Sequence, residues 1–136
     1  MPCEKYIMFL IKHNKKIGGF KAMIYICSPL RANKQHTLEQ NVERAKRICR
    51  VCSLKGILVM AVHLYFPQFL DDNIEEERNC GIQHGITMLG MCNEMWVFGE
   101  IMSSGMRAEI EYAEANNIPI KYYKDIDELI RSIETY

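Results

Sequence analysis

The most informative stretch of the chain is Trp96-Val-Phe-Gly-Glu-Ile-Met-Ser-Ser-Gly-Met-Arg-Ala-Glu109-Ile-Glu-Tyr-Ala113. It predicts a buried strand, a Ser/Gly turn and a helix that begins near Gly105. The apolar residues at helical spacing, which must face a sheet, are Met106, Ile110 and Ala113. Glu109 lies on or beside this stripe, one turn into the helix, where unpaired backbone amides attract anions. This position predicts a nucleophile; the alternative is a Glu at the edge of the stripe that reaches solvent or a neighbouring Arg.

The composition is that of an ordinary single domain. The chain has 136 residues, of which 49% are hydrophobic and 25% charged, and its formal net charge is zero. No sustained run of Lys or Arg supports nucleic-acid binding. The longest apolar runs, residues 7–11 and 57–62, have the length of strands and are far too short to cross a membrane. We therefore expect a soluble protein that binds neither nucleic acid nor membrane.

The cysteines indicate structure more than chemistry. Cys27, Cys49, Cys52, Cys80 and Cys92 lie in apolar or helical contexts, and nothing resembles a cleavable signal peptide, so a reducing cytoplasm is expected. Cys49-Arg-Val-Cys52 has redox or half-zinc spacing, but it falls inside a helical pattern with no second pair at metal-ligand distance. The pair is predicted to be structural, with thiol chemistry as the alternative, and no metal or cofactor is expected.

Strand and helix patterns alternate along the chain. The predicted strands cover residues 23–27, 57–62, 94–98 and 119–122. The predicted helices cover residues 37–54, 73–92, 105–116 and 125–133, with Asn73 and Glu76 and then Asp125 and Glu128 as capping pairs. This order predicts an α/β fold, a doubly wound parallel sheet of four to five strands with helices on both faces. Ligands of such sheets bind at the carboxyl ends of the strands.

Residues 1–22 stand outside this pattern. Residues 6–11 could add one strand, and the polar run and paired glycines over residues 12–19 indicate a linker. We therefore expect an extension over 1–22 and the regular domain over 23–136.

Three segments that follow predicted strands should meet at one edge of the sheet. The first is the turn Ser28-Pro29-Leu30-Arg31, which suits an anion because Pro29 stiffens it and Ser28 and Arg31 are free to donate. The second covers residues 63–72 and is rich enough in aromatic residues to cover a flat ring. The third is Ser103-Ser104-Gly105-Met106, whose hydroxyls and amides could hold a phosphate at the start of the helix.

Each of these segments also has a purely structural alternative. The serines could simply cap the helix, the aromatic residues could belong to the core, and Arg31 could pair with a surface acid. His63 is predicted to be a hydrogen-bonded histidine of the pocket rather than a metal ligand. No GxGxxG, Walker-type loop or Ser/His/Asp arrangement is present, so dinucleotide, NTPase and triad-hydrolase functions have no support.

The strand motif Tyr25-Ile-Cys-Ser-Pro-Leu-Arg31, followed by Ser103-Ser-Gly-Met-Arg-Ala-Glu109-Ile-Glu-Tyr-Ala, resembles the nucleoside 2-deoxyribosyltransferase superfamily. The resemblance covers residues 23–122 and is greatest to a small uncharacterised branch similar to nucleoside 5′-monophosphate N-glycosidases. It implies a flavodoxin-like sheet and a homodimer or higher homo-oligomer. It also implies cleavage of the N-glycosidic bond of a nucleoside or nucleotide, by hydrolysis or base exchange.

The resemblance also implies roles for single residues. Glu109 matches the nucleophile that attacks C1′ of the sugar, and Tyr25 matches a tyrosine near it. Residues 28–31 match the turn that contacts sugar or phosphate, and residues 103–105 match the loop that faces the 5′ group. Ser103, six residues before the nucleophile, stands where transferases tend to carry Asp, which favours a phosphorylated substrate.

The second carboxylate of that family, which protonates the leaving base, has no clear match. Gln83, His84 and Gly85 stand near its place, and Asp71 or Asp72 of the aromatic segment could substitute, with Asp72 the choice made here. A protein that binds or senses a nucleotide without cleaving it would also lack this carboxylate. That non-catalytic function is the alternative from another class.

Overall fold

The computed structural model describes residues 16–17 and 20–134, with a parallel sheet at the centre. Two short strands, β1 (Lys16–Ile17) and β2 (Phe20–Lys21), form a small antiparallel pair. The four strands of the parallel sheet are β3 (Met23–Cys27), β4 (Leu58–Met60), β5 (Glu94–Phe98) and β6 (Ile120–Tyr123). Their spatial order is β4-β3-β5-β6, and every pairing is parallel. This confirms the predicted doubly wound α/β fold, with the switch in strand order between β3 and β5.

Five helices connect or follow these strands. They are α1 (Leu38–Leu54), α2 (Val62–Tyr65), α3 (Glu75–Leu89), α4 (Ser104–Ala115) and α5 (Ile126–Glu134). A 3₁₀ turn, Phe66–Gln68, continues α2. Helix α1 begins with a capping box in which the Thr37 hydroxyl accepts from Gln40 N and the Gln40 side chain accepts from Thr37 N.

A separate apolar core lies on each face of the sheet, because alternate residues of a strand point to opposite faces. One core contains Ile24, Ile26, Ile48, Cys52, Trp96 and Leu129, so it joins the sheet to α1 and α5. The other contains Tyr25, Cys27, Leu89, Met95, Met106 and Ala113, so it joins the sheet to α3 and α4. The apolar stripe of α4 that the sequence predicts therefore packs against the sheet as expected.

Three predicted elements differ from the structure, one of which is the helix predicted over 73–92, since it covers Glu75–Leu89. The strand predicted over 57–62 covers Leu58–Met60 alone, and the chain turns into α2 at Val62. The aromatic segment after it is partly helical, because Tyr65, Phe66 and Phe69 pack edge to face on one another at 5.1 to 5.9 Å and Pro67 suits the first turn of the 3₁₀ helix.

The capping pairs had different outcomes. Asn73 and Glu76 do not cap α3, since Ile74 is the N-cap residue and Asn73 N donates to Asp71 Oδ1 at 2.9 Å. Glu128 N donates to Asp125 Oδ1 at 2.9 Å, which confirms the cap of α5. The Glu128 carboxylate reaches back to Lys124 N at 2.8 Å.

The strand that the sequence allows over residues 6–11 lies outside the described residues, and the division of the chain at residue 22 stays a prediction. Among the residues that the structure describes, no helix is both long and apolar enough to cross a membrane.

Candidate functional site

A cavity of about 130 Å³ opens at the carboxyl end of β3, on the face covered by α3 and α4. The predicted site residues that line it are Ser28, Leu30, Arg31, His63, Asp72, Ser103, Gly105, Met106 and Glu109. Its remaining wall is formed by Val62, Phe66, Pro67, Leu70, Glu77, Arg78, Gly81 and Ile82. The fold therefore brings together the three segments that the sequence placed at one edge of the sheet.

Glu109 is a partly buried carboxylate in the wall of this cavity. Helix α4 holds it there, because the Ser103 hydroxyl caps the helix by accepting from Met106 N at 3.2 Å and Met106 and Ala113 are buried below. Burial raises the pKa of Glu109 to about 7, and hydrogen bonding from Cys27 and Tyr25 acts in the opposite direction. No Lys or Arg in the described part of the chain forms an ion pair with it. Of the two alternatives, the Glu paired with a neighbouring Arg is therefore wrong within the described residues, and the partly buried side chain faces the open cavity.

Tyr25 lies beneath Glu109 and is completely buried. Burial first, and then the Glu109 charge, raise the pKa of its hydroxyl, which keeps it a proton donor. This hydroxyl has no hydrogen-bond partner within the described residues. It is nevertheless close enough to the Glu109 carboxylate for each group to shift the pKa of the other. Tyr25 thus offers a donor next to the carboxylate from inside the sheet.

Cys27 is a neighbour of Glu109 that the sequence analysis did not select. Its thiol is buried, and burial followed by the Glu109 charge raises its pKa well above the ordinary value. The thiol is therefore protonated and acts as a weak donor that lowers the pKa of Glu109. Cys27 could have been predicted from the alternation of side chains along β3, which places residues 25 and 27 on the same face of the sheet.

Gly85 on α3 lies where a larger residue would press on both functional groups. A Cβ at this position would be 3.1 Å from Val62 Cγ2, 3.4 Å from the Tyr25 hydroxyl oxygen and 3.9 Å from Glu109 Oε1. Residue 85 therefore supplies space rather than a carboxylate, and Gln83 and His84, its exposed neighbours, do not line the cavity. Two glycines four residues apart in one helix, Gly81 and Gly85, are the signal for such a close approach.

His63 and Ser28 form a hydrogen-bonded pair in the cavity wall, with 2.7 Å between Ser28 Oγ and His63 Nε2. Burial lowers the pKa of His63 to about 4, so the imidazole is neutral at neutral pH. It can then orient the Ser28 hydroxyl without adding charge.

Arg31, Asp72 and Arg78 form a charged network at the mouth of the cavity. The Arg31 guanidinium bonds the Asp72 carboxylate and backbone carbonyl, and Arg78 Nε lies 3.9 Å from Asp72 Oδ1. Arg78 also donates to Ser104 Oγ at 3.2 Å, which ties α3 to α4. Arg78 is not among the predicted site residues. Its helical spacing from Gly81, Ile82 and Gly85 places all four on one face of α3 and could have indicated it.

Three other residues lie at or near this edge of the sheet, outside the Glu109 cavity. Asn41 of α1 is buried and donates to the carbonyls of Arg31 and Leu30 at 2.8 and 3.4 Å, so it anchors the turn after β3. Pro29 lies on the other side of that turn, next to Gly99. Gly99 directly follows β5 and has a φ of +100°. Ser104 is exposed and does not line the cavity.

Comparison with known proteins gives a family and a fold. Residues 22–123 match the family described as domain of unknown function DUF7768. The chain belongs to this family. No protein with a curated description matches it.

The DUF7768 chain is also similar to a solved structure of a 2-deoxyribosyltransferase from the psychrotolerant bacterium Bacillus psychrosaccharolyticus. The TM-score is 0.58 with 15% sequence identity, and the match covers 79% of this chain and 90% of that chain. At this identity the similarity shows the fold, the flavodoxin-like arrangement of deoxyribosyltransferases. The fold that the sequence resemblance implies is thereby confirmed.

The cysteine pair of the DUF7768 chain lies away from the cavity. Cys49 and Cys52 are on α1, on the opposite face of the sheet from Glu109, and Cys52 is fully buried in that core. Burial raises the pKa of both thiols, that of Cys52 to about 12, so neither is a reactive thiolate. Within the described residues no three His, Cys, Asp or Glu side chains are grouped to hold a metal ion.

Proposed function

We propose that this protein cleaves the N-glycosidic bond of a nucleoside 5′-monophosphate, with Glu109 as the nucleophile. The observation that carries the proposal is a partly buried carboxylate, with its pKa raised to about 7, in the wall of a cavity at the switch point of the sheet. The fold shared with a 2-deoxyribosyltransferase supports glycosyl transfer at a nucleoside as the reaction class.

In this proposal the reaction has two steps, as in retaining glycoside cleavage. A Glu109 oxygen bonds to C1′ of the sugar while the C1′–N bond breaks, and the base leaves with that electron pair and takes up a proton. Water or a second base then attacks C1′ and releases the Glu109 carboxylate, which gives hydrolysis or base exchange. The protonated Cys27 thiol and Tyr25 hydroxyl lie next to the carboxylate and lower its pKa, which favours its charged form.

The leaving base must take up a proton from an acid in the cavity. Asp72 lines the cavity and is the candidate, but its carboxylate already binds Arg31. To act as the acid it must leave that ion pair. This geometry, together with the glycine at position 85, favours a second candidate function, a protein that binds the nucleotide without cleaving it.

The mouth of the cavity suits a 5′-phosphate. Arg31 and Arg78 provide two guanidinium groups, and Ser103 and Gly105 lie at the start of α4, where backbone amides attract anions. A nucleoside that lacks the phosphate cannot use these donors.

The reaction itself is tested by incubating the purified protein with a panel of nucleoside 5′-monophosphates and measuring free base. Addition of a second base distinguishes exchange from hydrolysis. Saturable nucleotide binding without release of base from any member of the panel would favour the non-catalytic function.

The phosphate assignment predicts a difference between nucleotide and nucleoside. We expect the 5′-monophosphate to bind more tightly, and Arg31→Ala or Ser103→Ala to weaken the nucleotide roughly tenfold or more, because a charge-assisted hydrogen bond contributes about 1.5 to 3 kcal/mol. Binding of the nucleoside should hardly change. Calorimetric titration of both ligands measures this, with Arg107→Ala, an exposed residue of α4 that does not line the cavity, as the control. Equal affinity of the wild type for both ligands would contradict the assignment.

The structural role of the cysteine pair gives another prediction. In a Cys49→Ser, Cys52→Ser variant we expect base release by the folded protein to stay within about twofold of wild type and to be insensitive to reductant. The variant should lose about 1 to 2 kcal/mol of stability, because a hydroxyl replaces a thiol in an apolar core. Assays with and without dithiothreitol check this. A large loss of activity that depends on reductant would support a function based on thiol chemistry instead.

Assembly and location are further parts of the proposal. Tyr65 and Phe69, next to the cavity wall, are 52% and 58% exposed, which supports a homodimer or higher homo-oligomer that covers them. Light scattering after size exclusion tests this state. The free thiols of the described chain, Cys27, Cys49, Cys52, Cys80 and Cys92, support a reducing cytoplasm.

A further inference from the structure

A second cavity lies on the opposite face of the sheet from Glu109, between α1, α5 and the loop after β3. Its volume is about 290 Å³, more than twice that of the Glu109 cavity. The polar side chains that α1 and this loop contribute to it are Ser28, Asn33, Gln35, His36, Asn41, Arg44 and Arg47. Apart from Ser28, which lines both cavities, no residue of the proposed reaction lines this space.

Two guanidinium groups in this cavity have no anionic partner in the described chain. Arg44 and Arg47 are one turn apart on α1, so both face the same space. Arg44 Nη1 donates to His36 Nε2 at 2.7 Å, which requires that nitrogen to be an acceptor. Neither arginine forms an ion pair with a carboxylate of the described residues.

The acidic residues of the same wall are occupied elsewhere. Glu100 pairs with Lys124 at 3.6 Å, and Asp125 caps α5 by accepting from Glu128 N. Asp127 lies in the first turn of α5, where the helix amides attract its charge. None of these three carboxylates forms an ion pair with Arg44 or Arg47, so both guanidinium groups can bind an anion.

The inner wall is apolar. Ile48 and Phe98 are buried in the core below, and Ile101 and Ile126 are half-buried beside them. A ligand that fits has an anionic group for the guanidinium pair and a compact organic body for the apolar wall. We propose that this cavity is a second ligand site, which binds a phosphate monoester of a small organic molecule.

The test is a titration of the ¹⁵N-labelled full chain with inorganic phosphate and with phenyl phosphate, at an ionic strength held constant with sodium chloride. We expect both probes to shift the backbone amides of residues 33–36 and 99–101, and phenyl phosphate to bind more tightly. Arg44→Gln with Arg47→Gln should weaken binding at these residues roughly tenfold or more. Arg50→Gln, an exposed residue of α1 outside the cavity, is the matched control and should behave as wild type.

The amides of residues 103–106 report the Glu109 cavity separately, because Ser28 is the one lining residue that the two cavities share. Binding at one site can therefore be measured apart from binding at the other. Unchanged shifts there in the double variant also show that it is folded. The proposed second site would be contradicted if chloride alone reproduced the shifts at residues 33–36. It would also be contradicted if these shifts persisted equally in the double variant and in the Arg50→Gln control. Equal binding of the two probes would overturn its preference for an organic ester.

Discussion

The Glu109→Gln variant is expected to lose base release from a nucleoside 5′-monophosphate by roughly a thousandfold or more while keeping its fold. The amide has the shape of the carboxylate, but it cannot supply the electron pair that attacks C1′. Its ability to accept from Tyr25 and Cys27 remains, so nucleotide binding should persist. Single-turnover assays for free base, together with calorimetric titration of the nucleotide, measure the two effects separately.

Glu111→Gln provides the matched control. Glu111 is on the same helix and exposed, and it does not line the cavity. We expect it to leave both activity and binding unchanged. Turnover of the Glu109→Gln protein at the wild-type rate would remove Glu109 from the mechanism and leave the binding function as the better proposal.

The second large effect concerns stability and its dependence on pH. The pKa of Glu109 rises from its ordinary 4.5 to about 7 in the folded state, so the folded protein holds this proton more tightly than the unfolded chain does. The protonated Glu109 side chain makes its full contribution to the free energy of unfolding below pH 4.5. This contribution falls by about 1.4 kcal/mol per pH unit as the pH rises from 4.5 towards 7. Glutamine does not titrate. The Glu109→Gln variant should therefore gain stability over wild type as the pH rises, reaching about 3 kcal/mol near pH 8.

Urea unfolding of wild type and variant at pH 4.5, 6 and 8 measures this difference. Other titrating groups change both proteins alike, so the difference between the two curves isolates residue 109. The exposed Glu111→Gln control should show a difference that does not vary with pH. A flat difference for Glu109→Gln as well would mean that burial does not penalise the Glu109 charge, and the electrostatic basis of the proposed nucleophile would fail with it.

Much of the fold follows from local sequence patterns. Strand β3, helix α1, strand β5 and helix α4 have bounds within one residue of those that the apolar patterns predict. These elements have strong apolar periods and side-chain caps, which are local properties of the chain. The predicted start of α3 is wrong because the Asp71 carboxylate accepts from the Asn73 amide, which in a capping box would donate to the Glu76 side chain.

The candidate site could be predicted only in part. Ser28, Arg31, Ser103 and Glu109 were found because each follows or begins a regular element at the carboxyl edge of the sheet. Arg78 was not predicted because its place in the cavity depends on how α3 packs against α4. Local sequence patterns do not predict this packing. The same packing puts Gly85 where the resemblance led us to look for a carboxylate.

The sequence by itself determined the order of strands and helices, the parallel sheet, and the edge at which Glu109 and the two polar turns meet. These follow because backbone hydrogen bonding and the burial of alternate or helical apolar faces are repeated at fixed spacing along the chain. Only the tertiary structure decided the chemical state of the groups that meet there. The raised pKa of Glu109, the neutral His63 and the Arg31–Asp72 pair arise from desolvation and charge contact between residues far apart in sequence, which appear only when the sheet and helices pack.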